Sequence, residues 1–397
     1  MSPILEEAKA LQEELTAHRR WLHAHAEVAF DLVQTKAYVR QQLEAMGFSP
    51  ADCGRTGLVV TVGGKKPGKV FLLRADMDAL PMVEESGVEF ACQPGARHAC
   101  GHDLHTAMLL GAAKLLKAHE DEIRGTIKLM FQPAEEVFEG SMDMIENGVL
   151  EDPKPDAAQM IHVTAATPMP AGTIVVCAPG VSAPAADYFT IRVHGKGCHG
   201  STPHCGVDAL TVAAHILLAL QEIHARELPP TEEAVLTVGT LHGGTASNVI
   251  ADSAELGGTI RTYDEETRSF LKDRMRAIAA SIAQAYRATA EVEFGSGCPT
   301  LVNDKDLAGK AKTYLTDLLG DQMVFAAAPG MHGGGSEDFA YVSQRVPSLM
   351  LALAAGEPDK GYPYPQHHPK VKFDESVLST GTAAFVTTAM RWLEENF

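Results

Sequence analysis

A short apolar strand, KVFLLRADMDAL, runs directly into acidic residues. A helical segment, TAMLLGAAKLLKAH, follows it, and two further apolar strands come next, GTIKLMFQPAEE and AAQMIHV. Strands this continuously apolar must be covered on both faces, and a helix between two of them lets them run parallel. The rhythm therefore predicts an α/β fold, a mainly parallel sheet clothed in helices. Upstream, Glu6 to Met46 carries apolar residues at three-to-four spacing and stops at Gly47, as helices do. With 397 residues, 45% of them hydrophobic, the chain has enough material for a large core and for two domains.

A change of pattern comes at PGVSAPAAD, a Pro, Gly and Ala stretch suited to a hinge. After it, YFTIRVHG alternates like a half-exposed strand, and VDALTVAAHILLALQEIHA is helical. AVLTVGTLHGG and SAELGGTIRTYD are strands, EETRSFLKDRMRAIAASIAQAY is a long helix, and ATAEVEF is a last strand. The βαββαβ order predicts a compact α+β module. Beyond about Gly297, the apolar strand SLMLALAAG and a final helix read as a return to the first domain. We expect an inserted domain over 184–296 within a discontinuous domain made of 1–183 and 297–397. GGKKPGKV at Gly63–Val70 nearly matches a phosphate-binding loop, but Val70 replaces the required Ser or Thr and a strand follows. It is expected to be a connection between strands.

Charge and cysteine usage exclude several partners. Lys plus Arg number 33 against 51 Asp plus Glu, a formal charge of −18, which repels nucleic-acid backbones and anionic membranes. No run of about 18 apolar residues could span a bilayer, and MSPILEEAKALQEEL has no signal-peptide core. The seven cysteines have no disulfide-scaffold spacing. A cytoplasmic protein is expected.

In open α/β sheets, ligands gather beyond the carboxyl ends of strands. There the sequence delivers Asp76 and Asp78, Glu135 and Glu136, and His162, and HACGHDLH at the start of a helix and QHHP near the end add to them. Thiolate, imidazole and carboxylate together suit zinc or a neighbouring transition metal and are too soft a set for calcium or magnesium alone. Each piece has a plainer reading: a capped helix start, a solvated strand end, a core-edge histidine, a turn. Their convergence on one sheet is what favours a metal centre. Adjacent strand residues face opposite sides, so Glu135 and Glu136 are expected to divide the work, one binding metal and the other acting as a base.

RADMDALPM, HACGHDLHTAMLLGAAKLL, FQPAEE, GKGCHGSTPH, GGTASNVIADSAELGGTIRTYD, GSEDFA and HHPKVKFDE, in that order, resemble the M20 metallopeptidase family, and within it the amidohydrolase branch of N-acyl-L-amino acid, hippurate and indoleacetyl-amino-acid hydrolases. The resemblance covers nearly the whole chain. It implies a mainly parallel catalytic domain with an inserted α+β lid that makes a homodimer. It implies two divalent metal ions per subunit (Zn, Mn, Co or Ni) on Cys100, His102, Glu136, His162 and His367, with Glu135 as general base. Asp76 and Asp78 would support those ligands from behind. In the lid, His199 would stabilise the oxyanion, and Asn248 and Arg261 would contact substrate; otherwise Asn248 caps a turn and Arg261 pairs with an acidic group. Ala26 and Ala251 stand where the family usually has proline, and Cys198 where it has glycine, which bears on fine substrate preference.

The implied reaction is hydrolysis of an N-acyl amino acid, a small-molecule substrate, to a carboxylic acid and a free amino acid. Alternatives within the family are a dipeptidase or an N-acetyldiaminopimelate deacetylase. From other classes, Cys100 could be a metal-independent nucleophile with His102 or His105 as base, or the cluster could be a zinc site that only stabilises a binding protein.

Overall fold

The computed structural model describes residues 3–92, 95–328, 330, 333 and 335–397. They fall into two compact units, one within Met1–Ser182, Val302–Met331 and Glu337–Phe397, the other within Ala183–Leu301 and His332–Ser336.

The first unit is built on an eight-stranded sheet. Its order is Ala51–Cys53, Gly57–Gly63, Thr126–Gln132, Val70–Asp76, Ala157–Thr164, Ser348–Ala354, Ile174–Val176 and Val324–Ala326. The central strands, from Thr126–Gln132 to Ser348–Ala354, are all parallel, whereas antiparallel pairs occur toward both margins. Phe71, Leu73, Leu129, Phe131, Ile161 and Leu351 are fully buried, as strands covered on both faces require. The periodic stretch from Glu6 to Met46 divides into three helices, Pro3–Ala10, Gln12–Ala24 and Val33–Ala45, and Gly47 follows at φ 84° as the left-handed stop. The helix His102–Ala118 lies within the core, nearly all of its residues buried, and packs on Leu378–Glu395 and Gln12–Ala24. GGKKPGKV joins Gly57–Gly63 to Val70–Asp76; the two strands flank Thr126–Gln132 and do not pair with each other, so the segment is a connection.

The second unit is a four-stranded antiparallel sheet, in the order Ala234–Gly243, Ser253–Thr262, Ala185–His194 and Thr289–Cys298. One face carries Phe189, Ile191, Val193, Leu256 and Ile260 into a core with Val212, Ile216 and Leu220 of helix Ala209–Glu222 and Leu271 and Met275 of helix Glu265–Ala285. Both helices start on an aspartate whose side chain accepts a backbone N–H, Asp208 from Leu210 and Asp264 from Thr267. The strand Thr289–Cys298 runs across the boundary read at 296/297, because a bulge after Phe294 lets it continue past the alternating stretch ATAEVEF.

Candidate metal centre

The site grows from the carboxyl ends of three neighbouring parallel strands. Val70–Asp76 supplies Asp76 and, just beyond it, Asp78; Thr126–Gln132 leads to Glu135 and Glu136; Ala157–Thr164 carries His162. The helix His102–Ala118 opens beneath them, entered through Gly101 at φ 98°. A Cβ at Gly101 would fall against Val163 Cγ2 and lie 3.3 Å from Phe373 Cζ, so only glycine lets Cys100 and His102 sit on either side of this turn.

Cys100, His102 and His162 converge with their ligand atoms within 4.8 Å of one another, as do Cys100, Glu136 and His367, and His102, Glu135 and Glu136. Cys100 Sγ is 3.4 Å from His162 Nε2, and His367 Nε2 is 3.6 Å from Glu136 Oε2. His102 Nε2 is 3.9 Å from both Glu135 Oε2 and Glu136 Oε1. His102 Nδ1 donates to the Asp78 carbonyl at 2.9 Å and His162 Nδ1 to the Val163 carbonyl at 2.7 Å, which leaves each Nε2 turned toward the cluster. His367 reaches its place from a left-handed backbone, φ 62°, held by its N–H on the Ala99 carbonyl. A non-glycine residue adopts that conformation only where its surroundings demand it.

Two observations test whether a cation fits. His102 Nε2 and Glu136 Oε1 are buried with no hydrogen-bond partner, and buried polar atoms of this kind are rare without a ligand. Burial opposes charge on His102, yet Asp76 and Asp78 raise its pKa well above the ordinary histidine value, so the centre of the cluster attracts positive charge. A set of one sulfur, three imidazole nitrogens and a carboxylate suits zinc and its neighbours.

Asp76 and Asp78 stand behind these groups. Asp76 accepts from His105 Nδ1 at 2.6 Å and from Arg74 Nη1 at 2.6 Å. Burial works to raise its pKa, but His102, Arg74 and His105 hold it well below the usual carboxylate range. Asp78 accepts the backbone N–H of Glu135 at 2.9 Å and of Glu136 at 3.3 Å. His105 has no nitrogen left for a metal or for Cys100, since its Nε2 accepts the Val163 N–H at 2.9 Å.

The two glutamates share His102 as a neighbour and differ in their other partners, and strand alternation is not the cause. The strand ends at Gln132, and Ala134, at φ 54°, turns the chain so that Glu135 and Glu136 lie in a turn. Glu136 faces His102 and His367, whereas Glu135 Oε1 accepts the backbone N–H of Asp338 at 3.4 Å. Burial and the carboxylates of Glu337, Glu136 and Asp338 push the Glu135 pKa well above the usual range; Glu136, mainly through burial, is pushed up to about 7. Arg74, Gln132, Glu337 and Asp338, a buried polar group around Glu135, received no role from the sequence. The signal was there: Arg74 is a charge in the middle of an apolar strand covered on both faces, and it has to find carboxylates.

In the second unit, His199 and Asn248 come together. His199 pairs with Val249, next to Asn248, and the Asn248 carbonyl accepts the Gly200 N–H at 2.7 Å. Both side chains are exposed, and Ser201 contacts His199 Nδ1 through its hydroxyl at 2.7 Å. Arg261 lies on Ser253–Thr262, its guanidinium 5.8 Å from the Tyr188 ring centroid.

Comparison with known proteins places this arrangement. The model of peptidase family M20/M25/M40 matches residues 72–391. The chain belongs to that family. It is 37% identical to thermostable carboxypeptidase 2 of Saccharolobus solfataricus, over 97% of each chain. It is 40% identical to an N-acyl-L-amino acid amidohydrolase of Geobacillus stearothermophilus over 75% of this chain and 81% of the relative. Its fold matches the crystal structure of the Bacillus subtilis YXEP protein, described as a dinuclear metal binding peptidase from the M20 family. That match has a TM-score of 0.80, 33% identity, and coverage of 97% of this chain and 99% of the other.

Proposed function

We propose that the protein is a metal-dependent amidohydrolase that cleaves N-acyl amino acids into a carboxylic acid and a free amino acid. The observation that carries this reading is the convergence of Cys100, His102, Glu136, His162 and His367 with Glu135 beside them and turned to a different partner. The five would hold two divalent cations, of Zn, Mn, Co or Ni type. When bound, these supply Lewis-acid polarisation of the amide carbonyl and ease the ionisation of water.

The chain's own groups do the rest. Glu135 takes the proton of the attacking water at its free oxygen and hands it to the departing amine nitrogen. His199 donates a hydrogen bond to the developing oxyanion. Arg261 meets the α-carboxylate of the amino-acid half with a planar fork suited to that group, and Asn248 adds a polar contact to substrate.

The relatives support the same bond. An N-acyl-L-amino acid amidohydrolase and a carboxypeptidase both cleave an amide whose amine belongs to an amino acid with a free carboxylate. A peptidase on short peptides is therefore the second reading, and acetyl- or benzoyl-amino acids against dipeptides of the same residue distinguish the two. Cys100 as nucleophile has little to support it: burial pushes its thiol up to about 12 and holds its neighbour His162 down at about 3.

The deciding experiment is Glu135→Gln with metal analysis. Turnover should fall by about 10²–10⁴-fold, the ordinary contribution of a general base, while metal content stays at the parental level. Loss of metal, or retention of substantial activity, would reverse the roles of the two glutamates. Arg261→Ala should weaken substrates with a free carboxylate by about 1.5–3 kcal/mol and spare their amides; equal damage to both would remove Arg261 from carboxylate recognition.

A further inference from the structure

The side chain of Arg74 is completely buried and makes hydrogen bonds along its whole fork. Nη1 reaches Asp76, Nη2 reaches Glu337 Oε1 at 2.9 Å and Asp338 Oδ1 at 3.0 Å, and Nε donates to Gln132 Oε1 at 2.9 Å. Gln132 returns its Nε2 to Asp338 Oδ1 at 2.6 Å, and the backbone N–H of Ser141 donates to Asp338 Oδ2 at 2.8 Å. The Asp338 carboxylate is thus gripped by donors from two adjacent strands and from the helix Gly140–Glu146. Burying this many charges is expensive, and an apolar packing of the same volume generally serves stability as well or better. The network therefore calls for a second reason.

That reason lies in the Asp338 backbone. With its side chain fixed on both oxygens, Asp338 has its own N–H directed at Glu135 Oε1, 3.4 Å away. One oxygen of Glu135 is engaged there, and the other, Oε2, remains on the side of the ligand cluster, 3.9 Å from His102 Nε2. A glutamate free to rotate could bring both oxygens to the cluster and serve as one more ligand. The tether keeps it a base.

The geometry points to Arg74, Gln132 and Asp338 as positioning residues that hold one oxygen of Glu135, Oε1, away from the ligands and leave only Oε2 toward them. This rests on the assignment of Glu135 as general base, and the test separates the two ideas. Asp338→Asn and Gln132→Met keep side-chain volume and remove, respectively, the charge and the hydrogen bonds that fix Asp338. Each is made in the parental protein and in Glu135→Asp, where the carboxylate is already drawn back from the Asp338 N–H. In the parental background each should lower kcat by about 10–100-fold, the scale of a misplaced reacting group. KM, metal content by elemental analysis and the thermal midpoint of the metal-free protein should change little. In Glu135→Asp the same substitutions should add no more than about a two-fold loss, because the pathway through Glu135 is already broken.

Full multiplicative losses in the Glu135→Asp background, or a loss of metal in step with activity, would show a role that does not pass through Glu135 and would overturn the proposal. Should Asp338→Asn fail to fold, Gln132→Met decides alone, and an unchanged kcat there would equally overturn it. Failure of the base assignment would appear separately, as activity retained by Glu135→Gln.

Discussion

At the scale of single residues, the sharpest demand falls on Gly101. Any side chain there is strained by the left-handed backbone and presses on Val163 and Phe373. Gly101→Ala should cost about 1–3 kcal/mol, read from the urea unfolding midpoint, and should lower bound metal because Cys100 and His102 are displaced together. Asp78→Asn should weaken metal binding by about 10–100-fold, the usual effect of a group that orients ligands from behind, as measured by competition with a chelating dye. The three histidines of HACGHDLH show what could be read from the sequence. His102 belongs to the ligand set that the resemblance implies, and its Nε2 is buried without a partner in the cluster. His105, whose two nitrogens are taken by Asp76 and the Val163 N–H, was not separable from it, because that depends on contacts between distant strands. His98 is buried with both ring nitrogens unpartnered among the described residues, and nothing in the structure assigns it a task.

At the scale of elements, the helix His102–Ala118 has little room on any side. A Cβ on Gly381 of the helix Leu378–Glu395 would run into Met108 Sδ and lie 3.1 Å from Leu353 Cδ2, so Gly381→Val should destabilise by about 1–3 kcal/mol through overpacking. A shift of the urea midpoint measures it. The loop after Val70–Asp76 is tied to the helix Gln12–Ala24 by Glu84, whose oxygens are each 3.1 Å from His23 Nε2. Burial opposes its ionisation, but His23 and Arg97 hold it down to about 2. A carboxyl with a depressed native pKa contributes stability that is present above its unfolded value, near 4.3, and is lost as pH falls toward the native one. Urea midpoints between pH 5 and pH 2.5 should therefore fall more steeply for the parent than for Glu84→Gln. Apolar runs made the central strands and the core helix legible. The turn at Ala134 was not, because no local signal marks an alanine with positive φ, and two partners of Arg74, Glu337 and Asp338, lie on a segment remote in sequence.

For the whole molecule, the resemblance implies a homodimer in which the inserted unit completes a site. If His199 serves the partner, Glu135→Ala and His199→Ala variants, mixed and allowed to exchange subunits, should recover about a quarter of parental activity, since half the dimers then carry one intact site. Recovery near zero with exchange confirmed by mass would mean that each chain supplies its own His199. Among the described residues, no helix is long and apolar enough to cross a membrane. The sheet order has a consequence for how the chain is made. Ser348–Ala354 lies between Ala157–Thr164 and Ile174–Val176, strands made long before it. A ribosome adding about 5–20 residues per second leaves the edge of Ala157–Thr164 open for roughly nine to forty seconds, while Ala183–Leu301 is synthesised and free to fold. A nascent chain stalled in that interval offers an apolar strand edge to chaperones or to its neighbours on a polysome, and it still lacks His367.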